Sequence, residues 1–429
     1  MKRRIRFLLG FVVILSLMLT ACGGNKGSSE KKGAGDKKTG DKVTLTIGSW
    51  RTEDKAGYEK IIQDFEAKHP DIHVQFKPTK NTEYDTILNT KLKSGSGPDI
   101  IQLRPYAPGM KLAEEGYIEP LDGLSGLDQL NKQDLAAATG KDGKIYGVPL
   151  SVNTAQIFYN KDIFQKYGLK EPKTWDDLLA VAKKLKKNGV TPFAFGSKEA
   201  WLLSLSHGII GPAFYGGNDF VEKIRKGEVN FKSAPFVKSL QAMKDLIPYF
   251  PKNYTGLGMD DIRNLFATGQ AAMFIMGSWE LDPVKGLNPD IKMGMFPMPS
   301  IGSGEPTITT WVDSSYGINA KSKHKDAAKT FIEYLATKDF GELFAKTFNR
   351  VSAVPGVKVD DPLVNQMSDA ASTMATPYLI LVDFNEGNPT TKQDLENDLQ
   401  GMYLGKLTPE KIADELEKSA EAWYKPFQK

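Results

Sequence analysis

Between Val43 and Leu103 two hydrophobic periodicities alternate, and that order constrains the fold more than any other feature of the chain. Val43-Thr44-Leu45-Thr46-Ile47 alternates apolar and polar side chains with the period of a half-buried strand. Ile61, Ile62 and Phe65 then fall on one helical face, and Pro70 closes that helix. A second strand is predicted over 72–76, followed by a helix with Tyr84, Ile87, Leu88 and Leu92 at helical spacing. Gly95, Gly97 and Pro98 turn the chain into an apolar strand over 99–103. The order β-α-β-α-β predicts a parallel sheet covered by helices. In such sheets ligands gather beyond the carboxyl ends of the strands, here the segments around Trp50 and Gln102.

Further helices carry their own boundary signals. Thr174 and Asp177 form a capping box ahead of Leu178, Leu179, Ala182 and Leu185, and Gly189 ends that helix. Asp326 opens another, with Ala327, Ala328, Phe331, Ile332 and Leu335 on one side. The last starts at Thr408-Pro409 and buries Ile412, Leu416 and Trp423. A folded body of roughly 390 residues exceeds one compact core, so two lobes are expected.

The amino-terminal stretch has a different character. Lys2, Arg3, Arg4 and Arg6 precede an apolar run from Phe7 to Leu19, and Thr20-Ala21-Cys22 follows. This is the pattern of a secretory leader, and its apolar run is too short for a membrane span of about 20 residues. A small-residue cleavage site directly before Cys22 matches the bacterial lipobox. Residues 1–21 are therefore expected to be removed and Cys22 to carry the lipid, whose two acyl chains hold firmly where one does not. From residue 23 to 42 no large apolar side chain occurs, so 22–42 reads as a lipidated tether spanning roughly 25 Å.

Charge excludes one class of partner. The chain carries 56 Lys and Arg against 52 Asp and Glu, but the leader holds four of the basic residues and no acidic one. The mature balance is zero, so no net basic field argues for nucleic acid. Cys22 is the single cysteine, which leaves none for disulfides; stability must come from the core.

Several segments, in order along the chain, resemble the extracellular solute-binding proteins of ABC sugar importers, the group containing maltodextrin-binding proteins. They are Ser96-Gly-Pro-Asp-Ile100, Lys141-Asp-Gly-Lys-Ile-Tyr-Gly-Val-Pro149, Gln156-Ile-Phe-Tyr-Asn-Lys-Asp-Ile-Phe164, Pro172-Lys-Thr-Trp-Asp-Asp-Leu178, Phe266-Ala-Thr-Gly-Gln-Ala-Ala-Met273, Gly277-Ser-Trp-Glu280 and Tyr316-Gly-Ile-Asn-Ala320. Each also has a plain scaffold reading as a turn or a cap. The resemblance implies a two-lobed α/β fold of the periplasmic-binding-protein type, with crossing segments as hinge and a carbohydrate in the cleft between lobes. It implies lobe I from 43–150 plus 314–347 and lobe II from 151–313 plus 348–429. It further implies a monomer that needs no cofactor or metal and delivers its sugar to the transmembrane subunits of an ABC permease. An anchor at Cys22 on the outer face of the membrane matters most without an outer membrane, which favours a Gram-positive source.

A sugar ring has an apolar C–H face and a rim of hydroxyls, so its site needs flat aromatics and planar polar groups. Six tryptophans occur. Trp175, in a helix first turn, and Trp423, on a buried stripe, are assigned to the core. Trp50, with Arg51 beside it, follows the first strand. Trp279 sits where the resembling family places a stacking aromatic, and Trp311 with Asp313 stands just before the second crossing. Trp201 could stack or could join the core with Leu202, Leu203 and Leu205. Asp99, Gln102, Arg104, Tyr106 and Asn153 are polar candidates near the strand end and the first crossing; their alternative is ordinary loop hydrogen bonding, and Asp99 could hold a neighbouring amide. Glu280 and Asp313, next to tryptophans, could accept hydroxyl protons, and surface solvation is equally open to them. The resemblance adds Asp383 and Phe384, in a late loop that reaches the cleft in relatives.

The alternative from another class is a secreted glycosidase, which also needs carboxylates around a cleft. The sequence lacks G-x-S-x-G, H-E-x-x-H, the Walker loop and G-x-G-x-x-G. His69 and His73 are four apart, but Pro70 between them breaks helical register and argues against a metal pair. A non-catalytic receptor is the expected function.

Overall fold

The computed structural model describes residues 42–302 and 304–428. The leader, Cys22 and all of the tether but Lys42 lie outside the described residues.

In chain order the strands are β1 (Val43–Ser49), β2 (Ile72–Pro78), β3 (Ile100–Leu103), β4 (Ile118–Glu119) and β5 (Val148–Pro149). The chain then passes through Leu150 and Ser151 into β6 (Val152–Asn160), β7 (Thr191–Ala194), β8 (Ala271–Gly277), β9 (Met293–Phe296) and β10 (Ile308–Val312). It returns through Asp313 and Ser314 to β11 (Ser315–Asn319), and crosses once more after the helix Lys338–Phe348 to reach β12 (Ala375–Pro377). One sheet has the order β2-β1-β3-β11-β4, with β5 on β11; the other has β12-β10-β6-β8-β7, with β9 on β6. The molecule is a two-lobed α/β fold.

The expected parallel sheet holds for β1, β2 and β3, but β11 runs antiparallel between β3 and β4. The reason is directional. A chain returning from the other lobe enters at the carboxyl end of β3, where Ser315 pairs with Leu103, and must run backwards. The same holds for β6, which leaves its crossing at Val152 and pairs antiparallel with both β8 and β10. The crossings thus fix which strand ends of the two sheets face one another.

Local sequence explains the covering layers. The helix Lys55–Lys68 buries Tyr58, Ile61, Ile62 and Phe65, and Asn81–Ser94 buries Tyr84, Leu88 and Leu92. Ile87 stays half-exposed. In Trp175–Lys187 the Thr174 hydroxyl accepts from the Asp177 amide at 3.2 Å while Asp177 accepts from the Thr174 amide at 3.1 Å, the expected reciprocal cap. The final helix Pro409–Glu421 buries Ile412 and Leu416 but ends before Trp423. That indole is half-buried, packs on Phe384 and donates from Nε1 to Thr391 Oγ1 at 2.9 Å. The all-apolar run Ala271–Gly277 is buried throughout, as a strand covered on both faces must be.

Candidate functional site

The facing strand ends enclose a cleft of about 1850 Å³ lined from both lobes. Trp50 and Arg51 follow β1, Arg104 follows β3, Asn153 opens β6, Trp279 and Glu280 follow β8, and Trp311 and Asp313 close β10. Parallel strand direction places the first group; the crossings place the second.

Aromatic rings form two groups. Trp50 meets Tyr84 edge-on at 5.4 Å, and the Arg104 guanidinium lies 4.1 Å over the Trp50 ring. Tyr84 is anchored by donating to the Gln102 carbonyl at 2.8 Å. On the other lobe Trp279 meets Trp311 edge-on at 5.5 Å, and Trp311 meets Tyr378 at 5.2 Å. Gly277 makes this corner possible: a Cβ there would stand 1.8 Å from the Trp279 ring, so only glycine lets the indole lie against its own backbone. Trp201 stands at a helix start and donates from Nε1 to Glu199 at 2.9 Å.

The polar floor is built from paired ions. Asp313 accepts from Arg51 Nη2 and, at 2.7 Å, from Asn153, while Ser314 donates to its other oxygen at 3.1 Å. Burial alone would raise the Asp313 carboxyl's pKa, but Arg51 and Arg350 outweigh it and hold the group below the usual carboxylate range. Glu280 accepts from Arg263 Nε at 2.6 Å and Nη2 at 3.0 Å. Burial raises its pKa in spite of that partner. Both Glu280 oxygens are taken, which leaves it poorly placed to donate a proton to a glycosidic oxygen. Gln102 bridges Ser49 and Ser314, tying β1 to the second crossing. Among the described residues Asn153 Oδ1 is buried without a hydrogen-bond partner.

Ten of the sequence candidates line the cleft: Trp50, Arg51, Gln102, Arg104, Asn153, Trp201, Trp279, Glu280, Trp311 and Asp313. Four do not. Asp99 precedes β3, at the strand end away from the cleft, and its carboxylate accepts from the Thr46 amide, the Thr46 hydroxyl and Ser322. Tyr106 lies beside the cleft in a left-handed conformation (φ 62°), and its hydroxyl accepts from the Val312 amide at 3.3 Å. Asp383 is gripped by Arg225 through two 2.9 Å bonds. Phe384 is fully buried against Phe231, Tyr424 and Phe427. The late loop reaches the cleft one residue further on, through Asn385 and Glu386. Tyr84, Arg263 and Tyr378 line the cleft as well, and nothing local in the sequence marks them.

Among the described residues no group of three or more His, Cys, Asp or Glu could hold a metal ion, and no helix is long and apolar enough to cross a membrane. Comparison with known proteins decides the family. The model of the bacterial extracellular solute-binding proteins matches residues 48–342. The chain belongs to that family. As a solute-binding protein it is 31% identical over 360 residues to the multiple sugar-binding protein of Streptococcus mutans, covering 82% of this chain and 83% of that one. It is 29% identical over 370 residues to an ABC transporter extracellular-binding protein of Pyrococcus horikoshii, covering 83% and 81%. Among solved structures a chitin oligosaccharide binding protein matches with a TM-score of 0.78 at 27% identity, over 89% of this chain and 99% of that one. Each of these relatives is named for binding rather than for catalysis.

Proposed function

We propose that this solute-binding protein captures an oligosaccharide in the interlobe cleft and delivers it to the transmembrane subunits of an ABC permease. The corner of Trp279, Trp311 and Tyr378 facing Trp50 across the cleft carries the reading. Flat rings suit the C–H faces of sugars, and the amides and carboxylates between them suit hydroxyl rims. The volume of about 1850 Å³ exceeds the roughly 300–1,000 Å³ that suits a drug-sized ligand, which favours several rings over one. The sugar-binding names among its relatives agree.

In this reading residues 43–150 with 314–347 and 151–313 with 348–429 rotate about the three crossings, and the sugar favours the closed state because both lobes touch it. The receptor acts as a monomer. The leader 1–21 is removed, and diacylated Cys22 holds the protein on the outer face of the membrane of a Gram-positive cell. Calorimetric titration against mono- and oligosaccharides tests the central claim. Saturable binding of an oligosaccharide without its hydrolysis is expected, and heat from none of the panel would sink it.

A further inference from the structure

Each arginine in the cleft wall is already held by the protein's own carboxylates. Arg51 is paired with Asp313 and lies 3.5 Å from Glu53. Arg263 is held by Glu280 and Asp260. Arg104 points Nε and Nη2 at both oxygens of Asp85, at 3.1 to 3.2 Å. Lys392 is likewise paired with Glu396, and Lys141 lies 3.4 Å from both Glu114 and Glu386. Lys80, Lys93, Lys111 and Lys198 are exposed and solvated. Among the described residues the wall carries ten carboxylates against nine basic side chains.

We propose that the cleft selects an uncharged oligosaccharide over an acidic one, and that Asp85 determines that specificity by occupying Arg104. The proposal rests on the carbohydrate reading above. A guanidinium paired bidentately has its best donors filled, so an incoming uronate gains little and must lie beside carboxylates instead. Like charges brought together on binding cost enough to discriminate between partners. A neutral sugar meets no such conflict, since hydroxyls can both donate to the carboxylates and accept from amides. Asp85 controls the most accessible of these arginines: Arg104 covers Trp50, and Asp85 holds it there from the surface of the helix Asn81–Ser94. Its side chain is more than half exposed, so its replacement should leave the core intact.

The test measures calorimetric affinities for neutral oligosaccharides and for uronic acid oligomers of equal length, at low salt, on the wild type, Asp85→Asn and Glu53→Gln. The wild type should bind its preferred neutral ligand at least about 100-fold tighter than any uronate oligomer. Asp85→Asn, which frees Arg104, should narrow that ratio by about tenfold or more, and Glu53→Gln should narrow it in the same direction. Wild-type binding of a uronate as tight as any neutral sugar would overturn the neutral selectivity while leaving the receptor reading intact. An unchanged ratio in Asp85→Asn would overturn the role of Asp85. Binding of neither class would overturn the carbohydrate reading itself.

Discussion

Arg350 grips Asp54 through two hydrogen bonds of 2.6 and 2.7 Å, joining the third crossing to the N-cap residue of the helix Lys55–Lys68. Both side chains are buried. Removing Arg350 leaves buried Asp54 with only the more distant Arg51, whose Nε lies 3.9 Å away, and breaking a buried pair typically costs about 3–5 kcal/mol. Arg350→Met should therefore lower the urea midpoint by a corresponding amount, and the double variant Asp54→Asn/Arg350→Met should recover part of the loss. A wild-type midpoint in Arg350→Met would show that the pair contributes nothing net.

Trp279 and Gly277 should act as one unit in ligand binding. Trp279→Ala should weaken the cognate sugar by at least about 2 kcal/mol, the scale of a binding hot spot. Gly277→Ala should weaken it too, because the new methyl group would push the indole off its seat. Unchanged affinity in both variants would remove this corner from the site.

His207 should make the fold acid-sensitive. Burial lowers its pKa to about 4, and its ring nitrogen lies 2.8 Å from Ser239 Oγ. The unfolded chain takes up a proton near pH 6.5 that the folded chain refuses until about pH 4. Stability is therefore complete above that window and falls as pH drops through it, by up to about 3 kcal/mol. Urea midpoints measured from pH 7 to 4.5 should decline in the wild type, and His207→Asn should flatten the decline. Parallel profiles for the two proteins would refute the assignment.

The anchor should be separable from the receptor. Cys22→Ala should shift the protein from the cell membrane into the medium while its calorimetric sugar affinity stays the same. Retention in the membrane fraction would count against lipid attachment at Cys22.

Features with a short-range cause were the ones legible in the sequence. Periodicity placed β1, β2 and β3, and strand direction then placed Trp50, Arg51, Gln102 and Arg104 at the cleft. Asp99 shows the limit of proximity: it is three residues from Gln102, yet a strand rises about 3.3 Å per residue, so the two stand at opposite ends. The burial of Phe384 depends on Phe231 and Phe427, distant in the chain, and no local pattern announces it. No local pattern marks Arg263 either, since its partner Glu280 belongs to the segment after the next strand. The ion pairing that governs the cleft's charge became visible only once side chains distant in sequence met.

The insertion of β11 between β3 and β4 has a consequence for how the molecule can be made and divided. A nascent chain ending before Ser315 holds β1, β2 and β3 but lacks the strand that links them to β4 and β5, so β3 presents an unpaired edge. Neither half can be isolated by a single cut. A minimal single-lobe protein would have to splice residues 43–150 directly onto 314–347, and a simple truncation should yield an aggregating fragment instead.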